Sequence, residues 1–77
     1  MDDLLRRITI DPRVMTGRPC IRGMRITVAN VLRLLSVGHS HERILKAYPD
    51  IEAADIDACL AFAAMRVDER EIEFAAA

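Results

Sequence analysis

Arg18, Arg22 and Arg25 follow one another closely in a stretch that also holds Gly17, Pro19 and Gly23. If the stretch is extended and turns back on itself, it presents three guanidiniums together. Each guanidinium is a rigid fork of five donors that suits the oxygens of phosphate and carboxylate. The chemistry on offer is therefore anion recognition. A basic ribbon tracks a phosphate backbone or reaches into a groove. Equally, it clamps acidic side chains of a partner chain or of a dimer mate.

The other reactive side chains do not assemble into a catalytic set. No glycine-rich phosphate loop, G-x-S-x-G or H-E-x-x-H run occurs. His39 and His41 with Glu42 resemble a metal cluster at first. Their i, i+2 spacing at a helix start does not converge on one ion, and Cys20 and Cys59 are distant in sequence. Asp55 and Asp57, two apart on a helix, face different ways and do not make an acid/base pair. The expectation is a binding protein, not an enzyme, with no cofactor and no metal.

Charge is unevenly spread. Residues 1–27 carry six arginines against three aspartates, a net of +3. Residues 28–77 carry five basic against nine acidic side chains, a net of −4. The chain of 77 residues is 52% hydrophobic and 30% charged, which fits one globular domain and excludes a disordered one. Its aromatics are Tyr48, Phe62 and Phe74, so the core must come from Ile, Leu, Val, Met and Ala. Such a thin core in so short a chain points to self-association, expected as a homodimer. Two cysteines without a leader-like apolar run, and no stretch of membrane-spanning length, point to a reducing, cytoplasmic setting with no membrane partner.

The elements that must position these side chains are legible in outline. Arg7-Ile8-Thr9-Ile10 alternates with the period of a half-buried strand, Asp11-Pro12 ends it, and Met24–Val28 alternates again. Residues 6–28 thus read as an extended β-ribbon. Helical spacing follows over 28–72, in three helices. Thr27 caps the first, with Val28, Val31, Leu32 and Leu35 as its apolar stripe and Gly38 at its end. Ser40 caps the second, and Pro49 closes it. Asp50 is expected to cap the third, whose stripe is Ile56, Cys59, Leu60, Ala63 and Val67. Residues 73–77 remain as a tail. The fold class expected is mainly α: a three-helix, helix-turn-helix-like domain, of winged-helix or homeodomain kind, behind a short N-terminal ribbon.

The signs of the charges restrict how such a domain meets DNA. The third helix would be the reader, yet its start carries Asp50, Glu52, Asp55 and Asp57, which repel phosphate. Any DNA contact is then assigned to Arg18, Arg22 and Arg25 of the ribbon and to Arg43 and Lys46 of the second helix.

The ordered run Ile8-Thr9-Ile10-Asp11-Pro12, then Gly17-Arg18-Pro19-Cys20-Ile21-Arg22-Gly23-Met24-Arg25-Ile26-Thr27-Val28, is followed by Gly38-His39-Ser40 and Tyr48-Pro49-Asp50-Ile51. Over about residues 6–65 the chain resembles the bacterial family called domain of unknown function 433. It departs from that family's pattern in having Arg18 where lysine is commoner and Met24 where threonine is commoner. The resemblance implies a helix-turn-helix-like, dimeric fold. It also implies a place as the antitoxin half of a toxin–antitoxin pair, beside a PIN-like ribonuclease toxin.

With such a toxin as partner, the C-terminal segment gains a role. PIN-like nucleases hold divalent metal with carboxylates, where an intruding cation competes. Arg66 and Arg70, four apart on a continuing helix, are placed to enter that pocket while Ile72 and Phe74 anchor on an apolar groove. The plainer reading has these arginines pairing with Asp68, Glu69 or Glu73 along the helix. The expected function is an antitoxin-like interaction protein that also binds operator DNA. The alternatives are a DNA-binding regulator without a toxin and a structural dimeric adaptor.

Overall fold

Thr27 marks the change from extended chain to helix. Its hydroxyl accepts from the Asn30 amide at 3.1 Å, satisfying one of the donors that a helix leaves open at its start. The computed structural model describes residues 2–76, with side chains described over 3–69. In chain order it contains α1 (Asp2–Leu5), β1 (Ile8–Thr9), a 3-10 turn (Met15–Gly17), β2 (Cys20–Ile21), α2 (Val28–Ser36), α3 (His41–Ala47) and α4 (Ala53–Ala76). The protein is mainly helical, with four α-helices and one small antiparallel sheet among the described residues.

The ribbon is shorter than its alternation suggests. β1 and β2 pair only through Ile8 with Ile21 and Thr9 with Cys20. The Met24–Val28 stretch returns beside β2 through a single bridge, Cys20 with Thr27, and an Ile21 amide bond to the Ile26 carbonyl at 3.0 Å. Between them Arg22 and Gly23 both take positive φ, and the Met24 amide closes on the Ile21 carbonyl at 2.8 Å. That combination is the hallmark of a type I′ turn, whose twist matches an antiparallel pair.

Local chemistry sets the ends of the helices. The Gly38 amide bonds the Leu35 carbonyl at 3.1 Å and the His39 amide bonds the Leu34 carbonyl at 3.0 Å. These two bonds are the Schellman pattern, which needs a left-handed residue, and Gly38 supplies it at φ 97. A Cβ built on Gly38 meets nothing within 4 Å, so only the backbone resists a side chain there. Gly38→Ala is expected to destabilise by about 1–2 kcal/mol, read as a lower urea midpoint with an unchanged slope. Ser40 caps α3 by accepting from the Arg43 amide, and α3 ends at Ala47, just before the Tyr48-Pro49 step.

Three expectations about helices are corrected. α1 is an additional helix; it packs on α4. Asp50 lies in a turn and α4 begins at Ala53, with Glu52 in the capping place. The last helix does not stop at residue 72 but runs on to Ala76 as one element, through most of the expected tail.

Ile21, Val28, Val31, Ile44, Ile51, Ile56 and Cys59 form the core, where β2 meets α2, α3 and α4. Leu32, Leu34, Leu35, Leu45, Tyr48 and Phe62 only edge it. Leu60 and Val67, expected in the stripe of the last helix, are exposed at 43% and 62%. Among the described residues the core therefore touches only the first half of α4.

Candidate functional site

Arg22 faces inward. Its Nε lies 3.1 Å from Asp55 Oδ1 and its Nη2 2.8 Å from Asp55 Oδ2, a two-pronged pair. The same Nη2 donates to the Asp50 carbonyl at 3.0 Å. Arg7 reaches Asp55 Oδ1 at 3.0 Å and Glu52 Oε1 at 2.8 Å with one nitrogen. Asp55 Oδ2 also accepts from the Glu52 amide at 2.7 Å, the backward half of a capping box at the start of α4.

Asp55 is fully buried, and this one carboxylate ties the turn before β1, the Arg22 turn and α4 together. Burial pushes its pKa up, but the hydrogen bonds from Arg22, the Glu52 amide and Arg7 outweigh burial and hold it below the usual value. This corrects two expectations. Arg22 does not join Arg18 and Arg25 in one outward-facing set. Of the four carboxylates expected to repel phosphate, Asp55 is buried and paired, Glu52 is exposed but bound by Arg7, and Asp50 and Asp57 are exposed without an ion pair among the described residues.

Arg18 and Arg25 do come together, with company that the sequence did not point to. Both line a groove of about 270 Å³ whose other walls include Arg33, Asn30 and Tyr48. They also line an adjoining depression with Arg13 and Thr16. Arg13 is already held by Asp11 at 3.1 Å, and this pairing lowers the Asp11 pKa. Arg18, Arg25 and Arg33 make no ion pair among the described residues, and no acidic residue lines either depression. Arg43 and Lys46 are exposed on α3 and line neither of them. Arg33 was legible as an outward residue of α2, but only the return of the 18–25 loop over that helix makes it part of a cationic groove.

A second surface is apolar. Pro19, Val28, Leu32, Phe62 and Val67 line an open groove of about 310 Å³ between α2 and α4. Arg66 lines it too, its guanidinium 5.1 Å from the Phe62 ring centre, within the range of a cation–π contact. Of the four residues expected to bind a partner, Arg66 alone has a described side chain; those of Arg70, Ile72 and Phe74 lie outside the described residues. Beyond the core, Met65 and Val67 on α4 are exposed.

Cys20 and Cys59 are both buried and unpaired with each other. Burial, with the Asp55 charge, pushes the Cys59 thiol up to about 11, so it acts as a small core residue and not as a nucleophile. No group of three or more His, Cys, Asp or Glu side chains suited to a metal is found among the described residues. No described helix is long and apolar enough to cross a membrane.

Comparison with known proteins finds relatives that are themselves uncharacterised. The chain is 37% identical over 59 residues to the uncharacterized protein y4eO of Sinorhizobium fredii, covering 73% of this chain. It spans only 27% of that relative's length. In structure it is similar to a DUF433 member protein from Anabaena variabilis, known from a crystal structure. The TM-score is 0.77 at 27% identity, covering 96% of this chain and 73% of the other. The family model described as protein of unknown function (DUF433) matches residues 8–63, and the chain belongs to that family.

Proposed function

We propose that this chain is an antitoxin-like interaction protein that binds and neutralises a PIN-like ribonuclease toxin. The observation that carries this reading is the second half of α4. It continues past the core with Val67 exposed at the open groove of Leu32 and Phe62, and with Met65 exposed at a separate depression lined by Leu5 and Ala61. A helix that presents apolar side chains beyond the core it belongs to suits insertion into a partner's groove. Arg66, steadied over Phe62, supplies a cation at the base of that helix, and Arg70 follows one turn later in sequence. On this reading Ile72 and Phe74 anchor the segment while an arginine competes with metal at the nuclease carboxylates.

The reading includes a homodimer, whose unfolding midpoint would rise with protein concentration. It also includes a helix-turn-helix-like use of α2, α3 and α4 on operator DNA, with no catalytic role. A DNA-binding regulator without a toxin is the second reading, favoured by the unpaired arginines of the groove. Co-expression with a PIN-like nuclease encoded beside this gene tests the first. The full chain is expected to restore growth, and a version ending at Met65, or one carrying Arg66→Ala with Arg70→Ala, is expected to fail while remaining folded. If the version ending at Met65 folds and still protects fully, inhibition does not reside in the end of α4.

A further inference from the structure

We infer that the groove between the 18–25 loop and α2 is a binding site for a phosphate group of a nucleic-acid backbone. The inference takes its macromolecule from the DNA half of the reading above; the site itself stands on the groove's own chemistry.

Three arginines, Arg18, Arg25 and Arg33, line this groove from two separate segments, and none meets a carboxylate among the described residues. Other arginines of the N-terminal half are paired, Arg6 with Asp3, Arg7 and Arg22 with Asp55, and Arg13 with Asp11, while Arg43 and Arg66 stand apart from one another and from this groove. Like charges gathered without a counter-charge raise the local potential and favour an anion between them.

The floor adds donors. The groove is lined by Ala29, in the first turn of α2, whose amide has no acceptor among the described residues. It carries the positive end of the helix dipole. Tyr48 hydroxyl accepts from Asn30 Nδ2 at 3.0 Å, so the phenolic hydrogen stays available to a ligand. Forked guanidinium donors, together with a hydroxyl and an amide from residues of the same groove, suit the tetrahedral oxygens of phosphate better than a planar carboxylate. A pocket of about 270 Å³ admits a phosphate with part of its sugar and leaves the rest of a strand outside. The loop that delivers Arg18 is itself unusual, because Met15, Thr16 and Gly17 all take positive φ. Strained backbone of this kind persists where surrounding structure holds it, often at ligand clamps.

The test uses the full chain and fluorescence anisotropy with a short, labelled duplex DNA of mixed sequence over a range of salt. Log affinity falls with log salt by about 0.9 for each phosphate neutralised. Arg18→Gln, Arg25→Gln and Arg33→Gln combined are expected to weaken duplex binding and to flatten that slope by about 1, with the melting midpoint unchanged. Arg43→Gln with Lys46→Gln on α3 is expected to leave more of the slope in place than the triple change does. Tyr48→Phe keeps the ring and is expected to weaken binding several-fold with little effect on the slope.

Inorganic pyrophosphate and ATP, added as competitors and as direct ligands, identify the source of the phosphate. Duplex binding lost in the triple variant supports the backbone assignment. Saturable binding of ATP or pyrophosphate that needs the same arginines, without duplex binding, overturns the nucleic-acid source and leaves a small phosphate ligand. An unchanged slope in a folded triple variant overturns the site outright. The nuclease-protection assay separates this from the toxin reading, because none of the three arginines lines the groove of Arg66 and Val67, and their Gln changes are expected to leave protection intact.

Discussion

Replacing Asp55 by Ala is expected to lower stability by about 3–5 kcal/mol, enough to unfold much of a domain this small at room temperature. The loss has three parts. The change strands Arg7 and Arg22 beside a buried gap, removes the acceptor for the Glu52 amide at the start of α4, and frees the Arg22 turn. Urea unfolding followed by circular dichroism measures it, with Asp55→Asn as the companion that keeps the shape and some hydrogen bonding. The same carboxylate gives the fold an acid sensitivity. Its pKa in the folded protein lies below its ordinary value, so the unfolded chain takes up protons first as pH falls. Its contribution is complete above the unfolded carboxylate value of about 3.9 and is lost as pH drops through the lower folded value. The urea midpoint of the native chain is expected to fall across that window more steeply than that of Asp55→Asn. A parallel decline in both would show that the carboxylate is not held as described.

Ile44→Ala is the second large effect. Ile44 is the one residue of α3 that is fully buried, and it plugs that helix into the core formed with Val31, Ile51 and Ile56. Removing its branched side chain leaves a cavity at a junction of helices. A loss of about 2–5 kcal/mol is expected. The cost should concentrate on α3, whose amides are expected to exchange with solvent faster than those of α2. A loss below about 1 kcal/mol would mean that the site collapses around the smaller residue and that α3 is held by Leu45 and Tyr48 instead.

These two residues differ in how visible they are from the sequence. Ile44 is marked by helical spacing, as are Thr27, Ser40, Gly38 and Pro49 by local chemistry, because each acts on neighbours within one turn. Asp55 is not marked. Its partners Arg22 and Arg7 lie 33 and 48 residues away, and nothing local says that a carboxylate near a helix start is buried. The spacing of Glu52 and Asp55 does hold a clue, since an acidic residue three positions after a cap is the capping-box signature. Asp50 is the better capping residue by type and misdirected the boundary. The alternation over Arg7–Ile10 and Met24–Val28 overstated the sheet for a related reason. Alternation reports which side chains face inward, while the number of paired backbone groups depends on turns that pull the chain away after two residues. The arginine groove was half legible. Arg18 and Arg25 follow from the ribbon, but Arg33, Asn30 and Tyr48 join them only once α2 and the end of α3 are packed beneath that loop.

The central claim, a protein partner met by the end of α4, is tested most directly by titration. A purified PIN-like nuclease, the proposed partner, is mixed with increasing amounts of the full chain, and cleavage of an RNA substrate is followed. The account predicts that cleavage falls linearly and stops at a fixed stoichiometric ratio, with a version ending at Met65 inhibiting far less. Undiminished cleavage in the presence of a large excess of folded full-length chain would contradict it.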